Sequence, residues 1–185
     1  MEGERNMRIF VGYASMNGHT KFLADEIAAG ARSVTGTEVV QKAVKDTSPS
    51  ELEAFDAIIW GSSGVFGNPN PEMVQFFVQL GQQWFMRKLE GKFGGVFGTT
   101  STAHGGIENL LRALAAPMHH HGMIVVSPPS LPDEKHALYA CPYGIAATIP
   151  VEASKDAPIN KPREEELDLA RHYGQYMATL LKSSK

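Results

Sequence analysis

The sequence holds a single cysteine, Cys141, in 185 residues. One thiol makes no internal disulfide and supplies no cysteine-built zinc or iron–sulfur site, so a reducing compartment suits the chain and a cytoplasmic protein is expected. No run of about 18 apolar residues occurs, and no transmembrane helix is expected. The mixed-charge start Met1-Glu2-Gly3-Glu4-Arg5-Asn6-Met7 fits neither a signal peptide nor a membrane anchor. Excess charge is scarce as well: 17 Lys and Arg against 20 Asp and Glu leave −3, too little to argue for a nucleic acid or an anionic membrane as partner. No G-x-G-x-x-G is present. Five residues rather than four separate Gly12 from Gly18, and His19 stands where a Walker loop needs lysine. Both absences count against a Rossmann dinucleotide site and against nucleoside triphosphates.

What is present is a chain with 43% hydrophobic residues, enough at this length to bury one core. Residues 1–6 read as a flexible extension and 7–185 as one domain. Short apolar runs alternate with amphipathic stretches. Strands are expected at 8–13, 37–44, 57–60, 93–97 and 123–126, and helices at 20–33, 71–80, 106–116 and 164–181. Ser50 is expected to cap a helical turn at 51–55. Strand and helix alternating about five times in this length predict an α/β fold, a doubly wound five-stranded parallel sheet with helices on both faces.

Ligands of such sheets sit at the carboxyl ends of the strands, which directs attention to three loops. The first, Ala14-Ser15-Met16-Asn17-Gly18-His19-Thr20, brings hydroxyls, a glycine and backbone N–H groups to a helix start, as an anion cradle does. A plain capped turn has the same composition. The second loop is Gly61-Ser62-Ser63-Gly64-Val65-Phe66-Gly67-Asn68. The third is Gly98-Thr99-Thr100-Ser101-Thr102-Ala103-His104-Gly105-Gly106. Their small polar residues and amides suit a flat heteroaromatic ring with carbonyl edges, with Phe66 and Trp84 as candidate covers or as ordinary core aromatics. Three histidines in a row, His119-His120-His121, could mimic a metal tract, but successive helical side chains diverge by about 100° and no metal site is expected.

Taken in order, these pieces resemble the WrbA family of flavodoxin-like NAD(P)H:quinone oxidoreductases from Met7 to about Leu181. The resemblance is carried by Tyr13 to His19, by Gly61-Ser62 with Phe66-Gly67-Asn68, by Thr102 to Gly106 followed by Glu108, and by His120 to Val126. Pro142-Tyr143-Gly144 and Glu165-Glu166-Leu167 with Ala170-Arg171 agree. The family implies a flavodoxin-like fold with FMN as cofactor. Its phosphate would be held by Ser15, Met16, Asn17, Gly18, His19 and Thr20. The ribityl and ring would be held by Ser62, Ser63, Gly64, Val65, Phe66, Gly67 and Asn68, with Thr99, Thr100, Ser101, Thr102, Ala103, His104, Gly105 and Gly106. NADH or NADPH as donor, a small-molecule quinone as acceptor and ping-pong transfer are implied too, as is a homotetramer in which a neighbouring chain covers part of the flavin. His121 matches the histidine that the family places beside the flavin, as a catalytic residue that orients the quinone or delivers a proton. Where the family's second loop reads Thr-Pro-Thr-Arg-Phe, this chain has Ser62-Ser63-Gly64-Val65-Phe66 and so lacks its cation. An electron-carrier flavodoxin and a regulatory protein without turnover are the alternatives.

Overall fold

A computed structural model describes residues 6–130, 137–152, 154, 156 and 158–184. Of the extension expected at 1–6, only Asn6, which is exposed, is among them. The first strand, β1 (Met7–Ala14), explains the layering. Ile9 and Val11 point into one apolar cluster and Phe10 into the other, all three fully buried. Ala57 and Ile59 against Ile58 and Trp60 repeat the alternation in β3 (Ala57–Val65). A strand buried on both faces has no polar alternation to show, which is why these segments read as continuous apolar runs.

The sheet runs β2 (Thr37–Ala43), β1, β3, β5 (Phe93–Thr100), all parallel. Beyond β5 the fifth position is shared by two short strands. β6 (Ile124–Val125) pairs with Phe93 and Gly94, while β7 (Ile145–Thr148) pairs with Phe97 to Thr100, both parallel. One helical layer consists of α1 (His19–Arg32) and α5 (Glu164–Ser183). The other holds α2 (Pro71–Gln79), the short α3 (Gly81–Phe85) and α4 (Ile107–His120). The doubly wound α/β fold of the sequence reading is the fold observed. No helix among the described residues is long and apolar enough to cross a membrane.

Four details differ from the sequence reading. β3 continues past Trp60 to Val65 and folds back through a tight hairpin onto β4 (Asn68–Pro69). The short residues of 61–65 conceal a strand because Ser62 is buried by what folds over it. The fifth strand is split, and β7 is hidden in the sequence because Ile-Ala-Ala-Thr is too short and too uniform in polarity to show a period. α4 passes through Pro117 for a further turn, since Met118 is fully buried in the core. Ser48 rather than Ser50 begins the turn at Pro49–Ala54, its N–H donating to Glu51 at 2.8 Å.

α1 and α5 cross at two glycines, Gly30 and Gly174, each pressed against a carbonyl of the other helix. The start of α5 is tied to the sheet by Glu166, 3% exposed, whose carboxylate accepts from the N–H of Thr148 and of Arg163, both at 2.8 Å.

Candidate functional site

Parallel strands all end on the same side, so the loops after β1, β3 and β5 meet there. In the first loop Gly18 takes φ 85 as the residue before α1, and no side chain caps the helix start. Ser15 Oγ accepts the Thr20 N–H at 3.3 Å. Met16, Asn17 and Gly18 are exposed, and among the described residues their backbone N–H groups have no hydrogen-bond acceptor. These amides, with about half a positive charge from the dipole of α1 behind them, form a cradle for an anion.

His19 and Thr20 lie at the same place but face inward. Thr20 is fully buried with its Oγ1 3.0 Å from that of Thr99, a hydroxyl pair that fastens α1 to β5. His19 Nε2 lies 2.5 Å from Glu152 Oε1, which also accepts the Asn160 N–H at 2.9 Å. The bond from His19, and after it the backbone bonds, hold the Glu152 carboxyl below the usual carboxylate range. Glu152, four residues past β7, is thus tied to the cradle, and the imidazole of the first loop already has a carboxylate partner.

The second loop is built as an anchored hairpin. Ser62 Oγ donates to the Ser63 carbonyl at 2.9 Å and accepts the Asn70 N–H at 2.8 Å, while Asn70 Nδ2 donates to Ser63 Oγ at 3.2 Å. Asn70 in turn caps α2 by accepting the Glu72 N–H. Phe66 at φ 49 and Gly67 at φ 77 form the two-residue tip between the paired Val65 and Asn68. Both central residues have positive φ, as a primed turn requires. Gly67 supplies that conformation freely; Phe66 does so at a steric cost, and its ring is 100% exposed.

In the third loop Thr99 and Thr100 are buried, with Thr100 Oγ1 donating to the Thr102 carbonyl at 3.0 Å. Ser101, Thr102, Ala103 and His104 are exposed. Gly106, at φ 82, opens α4 with no side-chain cap. The second and third loops touch backbone to backbone, for a Cβ on Gly106 would lie 2.8 Å from Gly67 Cα. Asn109 Nδ2 donates to the Gly67 carbonyl at 2.9 Å.

The structure therefore gathers the residues named from the sequence in all three loops at one end of the sheet. The hydroxyls of Ser62, Thr20 and Thr99 are directed into the protein, whereas the exposed amides and small side chains around them face outward. Two residues are placed elsewhere. His121 follows the last turn of α4, its N–H donating to the Pro117 carbonyl, and leads into Met123 at the amino end of the sheet. Fourteen residues at 1.5 Å each put it about 20 Å from the third loop, so within one chain it does not join the crevice. Trp84 sits beside it, donating from Nε1 to the His120 carbonyl at 3.1 Å, and covers nothing in the crevice of its own chain. Burial, and after it His120, holds the pKa of His121 below its ordinary value, and its Nδ1 is buried without a hydrogen-bond partner among the described residues.

Glu152, Asn70 and Asn109 are the residues that sequence reasoning missed. Asn70-Pro71 was legible as a cap followed by proline at the first turn. Glu152 lies 133 positions from its partner, beyond any local signal.

An anionic monoester fits the uncapped start of α1 and its open amides. The exposed small residues of the third loop, the Phe66 tip and the uncapped start of α4 offer the amides and small side chains that a flat ring with carbonyl edges needs. The residues present thus suit FMN. In the fold comparison, a WrbA-like flavodoxin from Agrobacterium tumefaciens superposes with a TM-score of 0.75 at 24% identity, covering 97% of this chain and 100% of that one. A flavodoxin from the domain Archaea gives 0.69 at 22%, covering 95% and 99%. Flavodoxin 2 of Bacillus cereus gives 0.70 at 23%, covering 94% and 99%. Residues 11–141, which include all three loops, match the flavodoxin family, and with that match over most of its length the chain belongs to this family of FMN-binding proteins.

Proposed function

We propose that the chain is a cytoplasmic FMN-dependent NAD(P)H:quinone oxidoreductase, which takes two electrons from NADH or NADPH and passes them to a quinone in alternate visits to one crevice. One observation carries the reading: the three loops, Ser15 to Thr20, Ser62 to Asn68 and Thr99 to Gly106, contain no Asp or Glu. Loops with no carboxylate of their own, and with Glu152 beside them already paired to His19, admit an anionic nicotinamide dinucleotide, whereas a carrier that docks on redox proteins gains from a strongly acidic collar. The second reading, a flavodoxin-type electron carrier, is favoured by the flavodoxins among the structures of similar fold.

FMN, when bound, supplies the two-electron chemistry between nicotinamide and quinone. The amides of Met16, Asn17 and Gly18 and the dipole of α1 would hold its phosphate. The first amides of α4, free of any side-chain cap, would lie near the ring and stabilise negative charge on it, in the manner of an oxyanion hole. His121 reaches a flavin only from a neighbouring chain, so a homotetramer is part of the proposal. An open groove of about 450 Å³ beside His120 and His121, lined by Val74, Phe77, Val78 and Trp84, suits such an assembly.

Anaerobic turnover of the FMN-loaded protein with each pyridine nucleotide and a small quinone panel tests the reading. Parallel double-reciprocal lines are expected. No NAD(P)H oxidation at any pH, together with a stable one-electron-reduced flavin, would leave the carrier standing.

A further inference from the structure

The structure assigns to Asn109 the role of a positioning residue that holds the hairpin tip against the start of α4, beside which the flavin ring would lie, an inference that rests on the FMN reading above. Asn109 lies on the first turn of α4, exposed, and takes no part in the core. Its amide donates to the Gly67 carbonyl at 2.9 Å, and among the described residues this is the hydrogen bond that joins the second loop to α4. The bond acts on a strained segment. Phe66 holds φ 49, a conformation that a side chain with a Cβ adopts only when its surroundings enforce it. Both carbonyls of the tip are held by side-chain amides, that of Phe66 by Asn68 Nδ2 at 3.2 Å and that of Gly67 by Asn109. Asn68 belongs to the hairpin itself and moves with it. Asn109 belongs to the helix that begins at the third loop, and its amide refers the tip to that helix. The Gly67–Gly106 contact sets how near the two backbones can come. Contact resists approach, and the Asn109 bond resists separation, so together they define one spacing.

The hairpin tip and the phosphate cradle are held by different bonds, which gives the role a distinct signature. Asn109→Leu and Asn109→Asp both lose the donor. Each should weaken FMN and riboflavin alike by about tenfold, because the ring is common to both. Asn109→Gln, which keeps an amide, should remain within about threefold of the wild type. The melting temperature of the flavin-free protein should be unchanged in all three, since the residue is exposed. Equal flavin affinity in wild type, Asn109→Leu and Asn109→Asp would overturn the role, as would a loss confined to FMN. A large fall in the flavin-free melting temperature of both variants would make it a matter of fold stability and overturn it too. A wild-type chain that binds neither flavin refutes the FMN reading itself, an outcome distinguishable from the other three.

Discussion

Gly174 of α5 lies so close to Ile27 of α1 that a Cβ at this glycine would stand 1.9 Å from the Ile27 carbonyl oxygen. The reverse contact is as tight, 1.8 Å from a Cβ on Gly30 to the Arg171 carbonyl oxygen. No side chain on either helix can rotate out of the way, because the obstacle is backbone. Gly174→Ala should therefore push the helices apart and cost about 3 kcal/mol, read as a lower urea midpoint with little change in slope. Gly81→Ala, where nothing lies within 4 Å, is the control expected to leave stability near wild type.

Phosphate recognition should be separable from ring recognition. Ser15→Ala removes the hydroxyl that accepts the Thr20 N–H and that stands beside the open amides of the first loop. FMN binding should weaken about fivefold, roughly one hydrogen bond, while riboflavin binding stays the same. Thr20→Ala is a different experiment, since its buried hydroxyl pairs with Thr99 and its loss should lower stability. Fluorescence titration of both flavins reads the first effect and thermal unfolding the second.

Assembly can be checked by mass. A chain of 20.1 kDa should scatter light as a tetramer at micromolar concentration. Val78, 70% exposed on α2, and Phe85, 78% exposed on α3, flank the groove near His121. Val78→Glu should reduce the mass and lower quinone turnover while FMN remains bound. A wild-type mass equal to one chain would remove His121 from the reaction.

The acid limb of the stability curve should report His121. Its folded pKa is depressed by burial and by His120 from an ordinary 6.5, so the unfolded chain takes up a proton that the folded one refuses. More protons on the unfolded state means stability rises with pH, and this contribution is lost as pH falls through about 6.5 toward the lower folded value. Arg87 and Glu90 line the same 300 Å³ pocket but are paired with each other. His121→Gln should flatten the change in urea midpoint between about pH 7.5 and 5.5, a window above the range where carboxylates titrate.

Much of the fold was legible because burial on both faces leaves a plain mark: Arg8 to Tyr13 and Ala57 to Trp60 have almost no polar interruption. The loops were legible by residue type, and all three do collect at one end of the sheet. Direction was not. Thr20 and Ser62 look like ligand hydroxyls in the sequence and are turned inward, since composition says nothing about which side of a turn packs. His121 illustrates a second limit. A motif fixes its neighbours along the chain, but α4 carries it a helix length away from the loop where that helix begins. The pairing of His19 with Glu152 is a third, as it joins residues 133 positions apart.

The split fifth strand has a consequence for how the chain assembles. On a ribosome, Phe97 to Thr100 emerge about 45 residues before the strand that will flank them, and β6 shields only the far end of β5. Until Ile145 to Thr148 arrive, the segment that leads into the third loop presents an unpaired edge, open to any extended segment that comes near, including one from another nascent copy. Once β7 has docked, Glu166 takes the Thr148 N–H and ties the late-arriving strand to the last helix. The crevice is thus completed from its far side by the C-terminal quarter of the sequence, and a nascent chain is most exposed to mispairing just before that quarter is made.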